Sequence, residues 1–182
     1  KKTGTTEYMV MLSALMVTLS KYSRQEDVVI GSPISGRTHR DTENMLGMFV
    51  NTLAMRGKPE RNKTFNTFLN EMKEVCLKAY ENQEYPFEEL VEAVEVKRDL
   101  ARNPLFDVML VMQNNEQVKL DKTDVGIEAI MVDSTNAKFD LSFNVAGVDD
   151  GYEIGLEYCT DLFTAQTAER ILNHYLEALN QL

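Results

Sequence analysis

The segment Gly31-Ser32-Pro33-Ile34-Ser35-Gly36-Arg37-Thr38 is where residue types and spacing come nearest to a known chemistry. Two spaced glycines followed by a cation and a hydroxyl approximate a phosphate-cradling loop, G-x-x-x-x-G-K-[ST]. Three features argue against that use. Arg37 stands where the pattern needs the point charge of a lysine, and the two cations are not equivalent. Pro33 removes an N–H from the backbone that would do the cradling. Asp41 and Glu43 bring negative charge close to where an anion would sit. A structural turn is the simpler reading.

The other reactive side chains are few. His39 and His174 are the only histidines, so acid–base chemistry near neutral pH has little to draw on. His39 lies among Arg37, Arg40 and Asp41 in a charged loop, and His174 lies beside Tyr175 on a helical segment. No G-x-S-x-G nucleophile elbow is present. Cys76 and Cys159 fit no zinc spacing and read as buried free thiols of a cytoplasmic protein. The glutamates between Glu71 and Glu95 are spread through helical segments without pairing, as on a solvated face. No metal ligand set and no catalytic residue is assigned.

The elements that must position these residues come from periodicity. Apolar residues at three-and-four spacing predict helices over Tyr8 to Tyr22, Phe65 to Ala79 and Ala168 to Leu182, the last capped by Thr164. A shorter helix is expected to begin at Tyr85-Pro86, with Glu88 and Glu89 at the positive end of its dipole. Strands are expected at Val28 to Ile30, stopped by Gly31 and Pro33, and at Met48 to Met55, Val108 to Met112, Ile127 to Val132, Phe139 to Val145 and Tyr152 to Tyr158. Asp149-Asp150-Gly151 marks a hairpin turn between the last two, and Lys119 to Asp124 reads as a loop. The sum is an α/β two-layer sandwich, a mixed β-sheet with helices packed on one side.

The 182 residues, 43% of them hydrophobic, suit one domain or one lobe of a larger one, residues 1–182. A net charge of −10 disfavours nucleic acid and anionic membrane surfaces as partners. No apolar run approaches the length that spans a bilayer. The chain starts at Lys1 without an initiator methionine or signal core, and a piece of a longer protein is expected.

Three stretches together resemble one family. Val29-Ile30-Gly31-Ser32-Pro33-Ile34-Ser35-Gly36-Arg37 is similar to the (I/V)GTPVAGR motif of nonribosomal peptide synthetase condensation domains. Leu46 to Arg56 resembles that family's GMFVNTLxLR, and Arg98 to Phe106 its RDxSRNPLF, with Ala101 in place of the usual serine. The motifs occur in the family's order, and the resemblance covers essentially the whole chain. The family's HHxxxDG motif is absent, since no two histidines are adjacent.

The resemblance implies the C-terminal lobe of a condensation domain, with a chloramphenicol acetyltransferase-like fold. Such a domain joins amino acids held as thioesters on carrier-protein phosphopantetheine arms. The partners implied are the N-terminal lobe, peptidyl and aminoacyl carrier proteins and a neighbouring adenylation domain, with no cofactor bound by this lobe itself. A noncatalytic carrier-docking module, or a lobe of an epimerisation or heterocyclisation domain, shares the same architecture.

By the resemblance, Ser35 and Asn51 line the substrate tunnel. The Asn51 amide either orients a thioester carbonyl or amine, or satisfies neighbouring backbone. Gly31, Pro33 and Gly36 are expected to fix a sharp strand exit. Arg37 and Arg102 pair with carboxylates, across the lobe interface or within the lobe. Asn103-Pro104 ends a helix and turns the chain.

Overall fold

A computed structural model describes residues 4–94, 102–113 and 136–182. The expected strand at Ile127 to Val132, the loop at Lys119 to Asp124 and the start of the third motif lie outside the described residues. Among the described residues no helix is long and apolar enough to cross a membrane.

Three helices match the apolar stripes. Helix α1 (Glu7–Ser23) starts where the Thr6 side chain accepts from Met9 N at 3.3 Å. Helix α2 (Phe65–Glu81) and helix α4 (Ala165–Asn180) begin on Thr64 and Thr164, each accepting an amide three residues on. Such caps satisfy amides that a helix start leaves orphaned. Thr164→Ala is expected to lower stability by about 1 kcal/mol, measured as a shift of the urea midpoint at unchanged m-value. The short α3 (Phe87–Ala93) follows Pro86, which occupies the capping position rather than the first helical turn.

The sheet holds β1 (Val28–Ile34), β2 (Asn51–Gly57), β3 (Val108–Gln113), β4 (Leu141–Val148) and β5 (Gly151–Tyr158) in the order β2-β1-β3-β4-β5. The two outer pairings are antiparallel and the two inner ones parallel, so the sheet is mixed as expected. Strands β4 and β5 form the expected hairpin, closing at Val148 opposite Gly151. Ile30, Met55, Leu110, Phe143 and Val145 turn one sheet face to the helices, against Leu12, Leu15, Met16, Phe68, Met72 and Tyr175. Because α1 is enclosed nearly all round, its Ser13 and Thr18 hydroxyls are satisfied by carbonyls one turn back, at 2.7 and 2.9 Å.

The other face of β1 explains Gly31. Strand alternation turns Gly31 away from Ile30 and the helices, and the Phe106 ring fills the space. A Cβ on Gly31 would lie 2.2 Å from a ring carbon. Phe87 of α3 and Phe139 flank Phe106, each at 5.6 Å between ring centroids. Thus α1, α2 and α4 cover one face, while α3 reaches the aromatic cluster on the other.

Two expected strand limits are corrected. β1 does not stop at Ile30 but runs through Gly31 and Pro33, so those residues lie within the strand rather than at its exit. Proline is tolerated because the β1–β3 ladder has one registered pair, Gly31 with Met109, after which the strands part. Leu110 O is met instead by the Ser32 hydroxyl at 3.1 Å. β2 begins at Asn51, not Met48. The apolar run before it is an exposed loop.

Candidate functional site

The parting of β1 and β3 opens a cleft of about 780 Å³ on the helix side of the sheet. Parallel strands whose carboxyl ends diverge leave such a crevice, the usual ligand position in open α/β sheets. Its walls come from four elements. The first turn of α1 supplies Glu7 and Tyr8, and β1 supplies Ser32 to Ser35. The end of α2 and the turn after it supply Tyr80 and Gln83, and β3 supplies Val111 to Gln113. Burial pushes the Tyr80 phenol up to about 12, with nearby Cys76 adding to the effect, and pushes the Tyr8 phenol higher still. Both phenols are therefore neutral hydrogen-bonding groups near pH 7, not bases. Burial also raises the Cys76 thiol to about 11, which makes it an inert core residue.

Ser35 lines the cleft; Asn51 does not. The Asn51 amide is committed to backbone, the second of its two expected roles. Its nitrogen donates to Gln83 O at 2.9 Å and Tyr85 O at 2.8 Å, and its oxygen accepts from Thr52 N at 2.8 Å and Phe87 N at 3.2 Å. Two donors and two lone pairs are the amide's full capacity. Asn51 thus holds the α2–α3 turn, and with it Gln83, at the cleft.

Beyond the cleft, residues 37–50 form a loop pinned at its base. Gly36 has φ 62°, and a Cβ there would meet Phe49 O at 1.8 Å. The Arg37 guanidinium donates to Thr42 O and, at 3.2 Å, to Gly47 O. Its carbon sits 4.4 Å from the centre of the Phe49 ring. Within this chain Arg37 therefore meets loop carbonyls and an aromatic face rather than a carboxylate. Thr38 Oγ1 donates to Glu84 at 2.7 Å, tying this loop to the turn that Asn51 holds. The loop presents Met45, Leu46, Met48 and Val50 to solvent, Leu46 and Met48 almost completely.

Arg102 pairs within this chain, with both oxygens of Asp107. Asn103 reaches Lys138 O at 3.5 Å, and 102–107 lead irregularly into β3. Any helix before Asn103-Pro104 would lie outside the described residues. The phosphate-loop pattern lacks the helix N-terminus it needs, since Gly36 is followed only by a short 3-10 turn, Arg40–Thr42. His39 caps that turn by accepting from Asp41 N, and His174 bonds Tyr22 Oη at 2.7 Å between α1 and α4. Neither lines the cleft.

The family model for the condensation domain matches residues 1–182. The chain belongs to the condensation-domain family. Relatives of this condensation-domain chain include Gramicidin S synthase 2 of Brevibacillus brevis, 49% identical over 179 residues. Tyrocidine synthase 3 of Brevibacillus parabrevis is 51% identical over 176 residues. The matches cover 98% and 96% of this chain but only 4% and 3% of those relatives. A solved four-domain nonribosomal peptide synthetase, holo-AB3403 bound to AMP and glycine, superimposes with a TM-score of 0.86 at 27% identity. That match covers 97% of this chain and 14% of the other. The condensation domain of nonribosomal peptide synthetases is the setting of this sequence, and its mixed sheet with helices is the chloramphenicol acetyltransferase-like fold.

Sequence reasoning missed Tyr8, Ser32 and Gln83 as cleft residues. Tyr8 was visible only as the first member of a helical stripe. Its phenol at the start of α1, two residues after a capping threonine, was the signal available.

Proposed function

We propose that this chain is the C-terminal lobe of a nonribosomal peptide synthetase condensation domain and forms one wall of the channel in which amide bonds are made. The observation that carries this reading is the cleft at the ends of β1 and β3, open on one side and bordered by an exposed apolar loop. An apolar surface of this kind is built to be covered. The reading assigns that role to the N-terminal lobe.

In the joined domain an acceptor amine attacks the carbonyl carbon of a donor thioester. The C–N bond forms, the C–S bond breaks, and the proton lost by the amine goes to the departing thiol. The HHxxxDG-bearing lobe would supply the histidine near the amine. This chain would supply Ser35 and the other cleft walls, which hold the reactants in place. The phosphopantetheine arms belong to carrier proteins, and an adenylation domain loads them. The chain alone is inactive.

Amide formation between two aminoacyl-pantetheine thioesters tests this. The expected result is no product from the chain by itself and product once the histidine-bearing lobe of the parent is joined to it. Product from the chain alone, or no gain on adding the lobe, overturns the reading.

A further inference from the structure

Among the described residues, the hydroxyl of Tyr8 is the buried side-chain polar atom that meets no hydrogen-bond partner. Tyr8 as a residue is only partly buried, whereas the fully buried phenol of Tyr175 donates to Met11 O at 3.1 Å. Leaving a buried hydroxyl unsatisfied costs about 1–3 kcal/mol, and phenylalanine would fill nearly the same space without that penalty. As far as the empty fold is concerned, the Tyr8 oxygen is a liability. A buried polar group left unsatisfied calls for an explanation, and a ligand that occupies the site is one.

The surroundings narrow what that something is. Tyr8 lines the cleft together with Ser32, whose hydroxyl gives its proton to Leu110 O and lies close enough to offset part of the effect of burial on the Tyr8 phenol, without meeting the geometry of a hydrogen bond to it. The described lining residues include no lysine, arginine or histidine, and Glu7 is the single charged side chain. A phosphate or a free carboxylate finds no counter-charge here. A neutral chain carrying amide carbonyls finds apolar walls in Pro33, Ile34, Val111 and Met112 and a donor in Tyr8.

We infer that Tyr8 is a substrate-positioning residue whose hydroxyl donates to a carbonyl of the neutral, amide-bearing acyl chain that occupies the cleft. This rests on the condensation reading of the site and assigns one residue a part in it. The enclosed hydroxyl is reached when lining side chains give way.

The test is Tyr8→Phe in the intact parent condensation domain, with an N-acyl-dipeptidyl-pantetheine thioester as the varied donor and an aminoacyl-pantetheine thioester as acceptor. Losing one neutral hydrogen bond should raise KM about 2–10-fold and leave kcat nearly unchanged. The thermal midpoint should stay level or rise, because the orphan is gone. A merely structural hydroxyl would give the opposite sign, a lowered midpoint, and that overturns the inference. So does an unchanged KM in an active domain. A wild-type domain that forms no amide would remove the reading beneath it, a result distinct from an active wild type matched by its Phe variant.

Discussion

Replacing Asn51 with alanine is expected to lower stability by on the order of 3–4 kcal/mol and, with it, the activity of the parent domain. Four backbone groups lose their partner at once: Gln83 O, Tyr85 O, Thr52 N and Phe87 N. Each such bond contributes roughly 1 kcal/mol, with more at stake where the group is buried. For a chain of this size the thermal midpoint should fall by about 10 °C. Asn51→Asp is the discriminating partner. It keeps an acceptor for the two amides but sets a second oxygen against the carbonyls of Gln83 and Tyr85, so it should rescue less than half of the loss. Were the amide a substrate-orienting group instead, Asn51→Ala would depress turnover and leave the midpoint in place. Thermal unfolding and turnover measured on both variants separate the two cases.

Gly36→Ala is expected to cost about 3 kcal/mol and to release the loop of residues 37–50. Two effects combine. A non-glycine residue at φ 62° carries a penalty of about 1–2 kcal/mol. The added Cβ also points at Phe49 O from 1.8 Å, a contact relieved only by moving backbone. That shift displaces the ring beneath Arg37 and loosens its bonds to Thr42 O and Gly47 O. Limited proteolysis within the loop should accelerate well beyond the change seen elsewhere. Gly36→Asn sharpens the test, since asparagine tolerates this backbone region but still carries a Cβ. Wild-type stability in the Asn variant would show that the steric term has been misjudged.

Much of the fold was legible because its signals are local. The stripes of α1, α2 and α4 follow helical spacing, Thr164 caps α4 as expected, and Asp149-Asp150-Gly151 closes its hairpin as read. The motifs carried the family. What misled was the partner geometry of residues far apart in sequence. Pro33 reads as a strand stop, yet β1 continues through it because β3 has already turned away. Met48, Phe49 and Val50 read as a buried strand, but their apolar character faces outward or packs under Arg37. Whether the Asn51 amide faces substrate or backbone depends on a turn more than thirty residues further on. A lone hydroxyl on an apolar stripe carries no local mark of being unpartnered, and so Tyr8 passed as core.

The bond from Tyr175 to Met11 O joins residues 164 positions apart, and α4 packs against α1 to close the same core. Within this stretch, α1 leaves the ribosome well before α4 and waits for it to complete the core. At translation speeds of about 5–20 residues per second, α1 spends on the order of ten seconds with its methionine- and leucine-rich surface uncovered. During that interval the nascent chain is a natural client for chaperones that hold apolar segments. Codon choice ahead of α4, which sets the length of the wait, becomes a practical lever on the yield of folded protein.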